Sequence, residues 1–260
     1  MLKFGIRQSF ENIEQIEERL SGLNTPIELA LPYYRDIYNP IRPHLKVIAE
    51  KIKSFSTEIL SIHAVQAPLT NEEFKIWGKE IADFAILLNV GIITLHPNNT
   101  NKNQINQKKA LQNLRYFNQL YKGKIIFSIE TFTGKRRVFD PDEIVKFNLP
   151  MTLDAAHIED NEKIWHLVKN YKENIVNVHL SSKGSEKHHL PIDDFCKDIV
   201  GYLKESGWNG NIILEYLPEF HNQMINDLKN LEYTFGQYNH THPGGCATGR
   251  NSGSGHDITK

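Results

Sequence analysis

Residues that bind metals or exchange protons stand at the end of several short apolar runs in this sequence. They are His63, His96, Glu130, Asp154, His179 and Glu215, and His157 follows three residues after Asp154. If the runs are strands of one parallel sheet, their C-terminal ends lie on the same side, and side chains far apart in sequence converge there. The pattern therefore predicts a metal centre at one edge of a parallel sheet.

The apolar runs alternate with longer segments whose apolar residues recur every three or four positions, which is typical of strands alternating with helices. Eight strands are predicted, at 2–6, 27–30, 59–63, 91–96, 124–130, 151–154, 175–180 and 211–215. Eight strands close a parallel barrel. An open doubly wound sheet also fits the alternation, but no Gly-rich turn follows the first strand. We therefore predict an α/β fold, a single (β/α)8 TIM barrel with outer helices.

The helices carry recognisable start signals. Thr70 and Glu73 have the spacing of a capping box before an apolar face that ends at Asn89. Asp140 followed by Pro141 indicates a second helix start. The barrel is expected to span residues 1–236. Residues 237–260 are rich in Gly, Ser, Asn and His, and this predicts a flexible polar tail that need not be native.

The overall composition is that of an ordinary globular protein, with 40% hydrophobic and 23% charged residues. The net charge of -1 gives no general attraction to nucleic acid or to an anionic membrane. No apolar segment approaches the roughly 20 residues that cross a bilayer, and no secretory signal is recognisable. A cytoplasmic protein is expected. Cys196 lies on an apolar stripe, so we expect a buried thiol and no disulfide framework.

The strand-end residues divide into two sets. Glu130, Asp154, His179 and Glu215 come from strands five to eight, which are neighbours around the barrel. Three carboxylates and one imidazole form an oxygen-rich ligand set. Such a set suits manganese, magnesium or cobalt better than it suits zinc of the kind that thiolates bind. The second set is rich in imidazole and consists of His63, His96 and His157, with His188 or His189 from the loop after strand seven. These histidines would add ligands for a second metal or hold substrate, and they favour zinc.

The motifs together resemble the xylose isomerase-like TIM barrel superfamily, which includes sugar isomerases and epimerases and the endonuclease IV type of apurinic-site nuclease. The resemblance covers residues 1–236. Its motifs are Ile62-His63-Ala64, Leu95-His96-Pro97, Ile129-Glu130-Thr131, Leu153-Asp154-Ala155-Ala156-His157, Val178-His179-Leu180 and His189-Leu190-Pro191-Ile192.

In the ketose epimerase branch, the resemblance implies one divalent ion on Glu130, Asp154, His179 and Glu215. Glu130 and Glu215 would exchange a proton at a carbon next to a carbonyl, while the metal stabilises the enediolate oxygens. His157 would hold a substrate oxygen. Glu28 is a further candidate for binding a sugar hydroxyl, with a surface salt bridge as the alternative. The partner would be a small sugar or sugar phosphate.

In the nuclease branch, the resemblance implies a zinc cluster that hydrolyses DNA at abasic sites. Its ligands match His63, His96, Glu130, Asp154, His157, His179, His189 and Glu215. However, the aspartate expected soon after the strand-seven histidine is missing from 181–187, and Thr131 replaces an asparagine. We therefore expect a metal-dependent sugar or sugar-phosphate isomerase or epimerase. The zinc phosphoesterase, and a barrel that binds metal or a small ligand without turnover, are the alternatives.

Basic residues near two of the strand ends are candidates for binding a phosphate. Arg136 and Arg137 lie just beyond strand five, and Lys183 follows strand seven. Arginine binds phosphate oxygens in the same way on a sugar phosphate and on DNA. The alternative interpretation is an ordinary solvated loop.

Overall fold

A closed barrel of eight parallel strands forms the centre of the protein in a computed structural model. The structure describes residues 1–10, 14–31, 44–64, 69–70, 72–97, 103–132 and 137–236. The predicted polar tail and Arg136 lie outside these ranges. The strands pair in sequence order, and β1 closes the barrel against β8. The predicted (β/α)8 fold is thereby confirmed.

All eight predicted strands are present, with ends that differ from the prediction by a few residues. Their bounds are β1 Lys3–Ser9, β2 Ile27–Leu31, β3 Ile59–Ala64, β4 Ile92–Leu95, β5 Ile126–Glu130, β6 Met151–Asp154, β7 Ile175–Leu180 and β8 Asn211–Leu214. The first strand continues three residues beyond its predicted end because it pairs with β2 as far as Ser9 and Ala30. This extension places Arg7 inside the barrel sheet.

Helices follow the strands and cover the outside of the barrel. Their bounds are α1 Glu14–Leu20, α2 Leu45–Lys53, α3 Glu73–Leu88, α4 Gln104–Leu120, α5 Pro141–Lys146, α6 Asn161–Tyr171, α7 Asp194–Glu205 and α8 His221–Phe235. None of the helices in the described ranges has both the length and the apolarity of a membrane-spanning segment. Cys196 is a free, buried cysteine on α7, as predicted.

One of the two predicted helix starts is correct. The Asp140 side chain accepts a hydrogen bond from the Glu143 backbone N–H, and the Glu143 side chain accepts one from the Asp140 backbone N–H, which completes a capping box at α5. The prediction for Thr70 was wrong. Helix α3 begins two residues later than that prediction requires: its N-cap is Glu72, which makes no side-chain capping bond. Capping-box spacing occurs often by chance, and here the turn at 69–70 precedes the helix.

The strands are buried on both faces, as expected for a parallel sheet covered by helices. Outward-facing apolar residues such as Ile62, Ile93, Phe127 and Val178 belong to the continuous core between sheet and helices. Residues of the opposite parity point into the barrel because side chains alternate along a strand. Many of these inward residues are polar, and they form the candidate site.

Candidate metal centre

Four ligand-type side chains from neighbouring strands meet at the C-terminal end of the barrel. Glu130 and Asp154 are the last residues of β5 and β6, His179 is the penultimate residue of β7, and Glu215 directly follows β8. Asp154 stands beside His179 in the β6–β7 register. One ligand atom from each of the four lies within 4.8 Å of the others. The structure therefore brings the predicted core set together.

The Nδ1 atom of His179 is the point on which the three carboxylates converge. It lies 2.7 Å from Glu130 Oε1, 3.3 Å from Glu215 Oε2 and 3.7 Å from Asp154 Oδ2. All four side chains are buried. Within the described residues, Asp154 Oδ2 and Glu215 Oε2 accept no hydrogen bond. Buried carboxylate oxygens without donors are costly, and a divalent cation would satisfy them. The donor set therefore fits a metal ion.

The local backbone orients Asp154 for this role. Its Oδ1 accepts hydrogen bonds from the backbone N–H groups of Ala156 and His157, at 2.8 and 3.0 Å. The turn that follows β6 therefore holds one oxygen and leaves Oδ2 facing the centre. Thr131, the residue after Glu130, accepts a bond from the Asp154 backbone N–H at 2.9 Å and ties the two strand ends together.

The other ring nitrogen of His179 faces Glu28, which lies deeper in the barrel on β2. Glu28 Oε1 is 2.9 Å from His179 Nε2. The carboxylate is fully buried, so the interpretation of Glu28 as part of a surface salt bridge was wrong. Its second oxygen accepts hydrogen bonds from Ser61 at 2.6 Å and from Asn177 at 3.0 Å. Glu28 therefore lies beneath the centre, where its carboxylate contacts His179, Ser61 and Asn177.

A buried layer of small polar residues, which the sequence analysis missed, lies beneath the centre. It consists of Ser61, Thr94, Ser128, Thr152 and Asn177. The Thr152 hydroxyl lies 2.9 Å from that of Thr94 and 2.7 Å from that of Ser128. Each member stands two positions before a ligand-type residue, at His63, His96, Glu130, Asp154 and His179. This spacing puts both residues on the same face of a strand, and it was a readable signal.

The additional histidines form two groups beside the central set. His63 Nε2 and His96 Nε2 lie 2.6 Å apart, and Glu130 Oε2 is 3.4 Å from the former and 2.5 Å from the latter. On the other side, His157 Nε2 is 3.6 Å from Asp154 Oδ2. His189 Nε2 is 3.8 Å from Glu215 Oε1, whereas its neighbour His188 is exposed. Each group shares a carboxylate with the central set.

The protonation of these groups reflects their burial and charge. Burial opposes ionisation of Glu130 and Asp154, but the neighbouring histidines outweigh it, and the pKa of each carboxyl lies below its usual value. Burial also opposes a charge on His179, yet the Glu28 carboxylate and hydrogen bonds hold its pKa well above the usual 6.5. In the protein alone, a proton on His179 thus partly compensates the carboxylates.

The outer histidines behave differently. Burial, together with repulsion by Arg7, lowers the pKa of His63 to about 3. Burial also lowers the pKa of His189 to about 4. Both rings are therefore neutral near pH 7, which is the form in which imidazole binds metals. His189 has a left-handed backbone, with φ of 59°, and such strain in a non-glycine residue is typical of functional sites.

Arg7 is a second element that the sequence analysis did not recognise. Its guanidinium forms a close ion pair with Glu215 Oε1, across the β1–β8 closure. Arg7, His189 and Glu215 also line an open cleft of about 670 Å³ that continues to Pro218 and His221. Ligand pockets commonly measure roughly 300–1,000 Å³. The cleft therefore gives a small molecule access to one side of the centre.

The predicted phosphate-binding residues do not form one group in the described structure. Arg136 lies outside the described residues. Lys183 donates a close hydrogen bond to the Ile158 carbonyl, and burial lowers its pKa. Arg137 is half-buried after β5. The ammonium of Lys183 is thus turned to the backbone of the loop after β6.

The fold and site together define a (β/α)8 barrel with buried groups at its C-terminal mouth that could hold a metal. Solved structures with a similar fold include 3-keto-D-glucoside 4-epimerase, YcjR, from E. coli, with a TM-score of 0.64 and 14% identity. The match covers 90% of this chain and 100% of that one.

Two further solved structures are similar to this chain in fold. A xylose isomerase domain containing protein from Salmonella typhimurium matches with a TM-score of 0.57 and 14% identity, over 90% of this chain and 97% of that one. The probable 3-DHS dehydratase AsbF from Bacillus anthracis, involved in petrobactin synthesis, matches with a TM-score of 0.54 and 16% identity, over 91% and 100%. No protein-family model and no curated protein matches the sequence. At these identities the likeness is one of fold, and in its fold the chain resembles xylose isomerase-like TIM barrels, as the motifs predict.

Proposed function

We propose that this protein is a divalent-metal-dependent isomerase or epimerase acting on a small sugar or sugar phosphate. The observation that carries the proposal is the convergence of Glu130, Asp154 and Glu215 on Nδ1 of His179, in a buried position at the open end of the barrel. These four residues would hold the metal. Manganese, magnesium and cobalt suit such an oxygen-rich set.

The two glutamates would transfer the protons in this reaction. Glu130 is buried on β5, and Glu215 lies across the centre and lines the cleft of about 670 Å³. A substrate carbon between them would lose a proton to one carboxylate and regain it from the other, provided that a carbonyl lies next to that carbon. When bound, the metal supplies Lewis acidity to the substrate oxygens beside that carbon.

The remaining side chains would bind and orient the substrate. His157 and His189 stand at the same rim, and their ring centroids are 4.8 Å apart. Phe132 stacks on His157 at 4.0 Å and gives this wall an apolar face. The E. coli neighbour is a sugar-derivative epimerase by name, which supports a substrate of this chemical class without identifying it.

A zinc phosphoesterase is the second candidate, because His63, His96 and Glu130 form a further group of metal-ligand type, as do Asp154, His157 and His189. In that case the outer histidines would hold additional zinc ions, and an activated water would attack a phosphodiester. DNA would then be the partner. The cleft itself does not discriminate between the two reactions.

Metal content and solvent isotope exchange together test the proposal. The protein loaded with Mn²⁺ is incubated in D₂O with a panel of ketoses and ketose phosphates. Deuterium should appear at the carbon next to the carbonyl. The rate of its incorporation should fall roughly 100-fold or more in Glu215→Gln and in Glu130→Gln. Glu219→Gln is the matched control, because Glu219 is an exposed glutamate in the same loop, paired with Lys187.

Other outcomes would decide against the isomerase. Two or three zinc ions per chain, with nicking of a duplex that contains an abasic site, would favour the phosphoesterase. A protein that binds no divalent metal would overturn both candidates.

A further inference from the structure

Glu28 is a fully buried carboxylate on β2, a strand that contributes nothing to the central set of four. Among the described residues, its ion-pair partners are two imidazoles, His63 at 3.6 Å and His179 at 2.9 Å. A buried carboxylate without a lysine or arginine partner is costly. Here the two imidazoles, together with two hydrogen-bond donors, compensate its charge.

The contacts of Glu28 fix its direction. Ser61 and Asn177 both donate hydrogen bonds to Oε2, at 2.6 and 3.0 Å. These donors come from β3 and β7, so they hold the carboxylate from two sides of the barrel. The other oxygen, Oε1, is thereby directed toward Nε2 of His179. The carboxylate cannot turn toward the cleft without losing both bonds.

The ring of His179 has carboxylates at both nitrogens, but in unequal number. Nδ1 faces three carboxylates, whereas Nε2 faces Glu28 and the amide of Asn177, which lies 3.3 Å away. A metal ion can replace the proton on only one nitrogen. Carboxylate oxygens without a hydrogen-bond partner lie on both sides, Asp154 Oδ2 and Glu215 Oε2 toward Nδ1 and Glu28 Oε1 toward Nε2. The Nδ1 side is distinguished by its three carboxylates, which is the larger set of metal-ligand type.

We propose that Glu28 is a positioning residue for the metal centre. Its carboxylate accepts a hydrogen bond from Nε2–H of His179, so that the Nδ1 lone pair faces the position among the three carboxylates where the metal ion would bind. A carboxylate behind a metal-binding histidine fixes the tautomer and orientation of the ring, and it raises the basicity of the ligand. The inference rests on the proposed metal centre, and it replaces a substrate hydroxyl as the partner of Glu28.

Titration with MnCl₂ by calorimetry tests this role without an activity assay. Glu28→Gln keeps the size of the side chain and one acceptor oxygen but removes the charge. We expect Mn²⁺ affinity to fall about 10–100-fold with unchanged stoichiometry, as for other groups behind a metal ligand. An affinity within about twofold of the wild type would overturn the proposal.

Ser128→Ala is the matched control for general damage to the barrel interior. Ser128 belongs to the same buried polar layer, and its hydroxyl lies 2.7 Å from Thr152, with a longer contact to the Ile93 carbonyl. Its loss should lower thermal stability while Mn²⁺ affinity stays at the wild-type value. Equal losses of Mn²⁺ affinity in both variants would show a merely structural effect and would overturn the positioning role.

His179→Gln separates positioning from direct coordination. If Glu28 were itself a ligand, Glu28→Gln would lose Mn²⁺ binding to the same extent as His179→Gln. Long-range ¹H–¹⁵N spectra of the Zn²⁺ form provide a second readout, in which the His179 proton should reside on Nε2. A proton on Nδ1 would overturn the inference. A wild type that binds neither Mn²⁺ nor Zn²⁺ would instead overturn the proposed function from which the inference starts.

Discussion

The two ends of the barrel differ in where they place charge. At the C-terminal end, Glu28, Glu130, Asp154 and Glu215 are all buried. At the N-terminal end, a larger cavity of about 810 Å³ is lined by Lys3, Glu58 and Trp208 among others. There Lys3 and Glu58 form an ion pair at 2.7 Å in which both side chains remain more than half exposed.

This difference shows that cavity size alone does not locate the site. An exposed ion pair keeps most of its hydration, so it costs little and contributes little. The four buried carboxylates have lost most of their hydration, so their charge must be compensated. The smaller cleft at the C-terminal end is therefore the functional candidate. Active sites of this fold occur at that end.

Asp154→Asn should have the largest effect on the C-terminal end. Asparagine keeps the Oδ1 acceptor for the Ala156 and His157 N–H groups, so the turn after β6 is retained. The change removes the charge and the unbonded oxygen that faces His179. We expect Mn²⁺ affinity to fall more than about 100-fold, beyond the range for groups behind the ligands. Calorimetric titration measures it.

A matched control for that change lies at the opposite end. Glu58→Gln likewise replaces one carboxylate by an amide, and it should leave Mn²⁺ affinity unchanged. Unaltered Mn²⁺ binding by Asp154→Asn would place the metal elsewhere and remove the distinction between the two ends.

Metal loading should stabilise the protein through the C-terminal end. At a free Mn²⁺ concentration 100 times the Kd, binding to the folded state alone contributes about 2.7 kcal/mol. For a chain of this size the midpoint of thermal unfolding should rise by roughly 5–10 °C. Differential scanning calorimetry with and without a chelator measures the shift. The same increase in Asp154→Asn would mean that the metal binds at other residues.

The smallest expected effect is at the N-terminal end. Glu58→Gln breaks the Lys3 ion pair, and we expect the free energy of unfolding to fall by less than about 1 kcal/mol. Urea unfolding measures the change. A loss of several kcal/mol would show that this pair is as important to the fold as the buried groups, which would contradict the comparison of the two ends.

Much of the site could be predicted from sequence because strand geometry is local. The alternation of side chains along a strand sends Ser61 and His63, or Asn177 and His179, to the same face. The parallel arrangement then places the strand ends together. The same rule would have identified the polar layer, whose members lie two positions before the ligand-type residues and form hydrogen bonds across the interior.

Other features of the site could not be predicted, because they depend on the register of the strands and on the closure of the barrel. Arg7 and Glu215 are 208 positions apart and become neighbours only when β1 pairs with β8. Glu28 had the residue type of a substrate-binding group, but its depth on β2 places it under His179. His188 and His189 are equivalent in sequence, and the left-handed backbone at His189 selects which of them faces Glu215.

The sequence by itself determined the alternation of strands and helices, the number of strands, and the ligand types at their C-terminal ends. These follow from side-chain periodicity and residue chemistry, which act over a few positions. The tertiary structure decided which oxygens remain unbonded, which nitrogen of His179 faces three carboxylates, and which carboxylate lies at its other nitrogen. Those properties depend on distances between side chains of different strands, which come together only when the barrel closes.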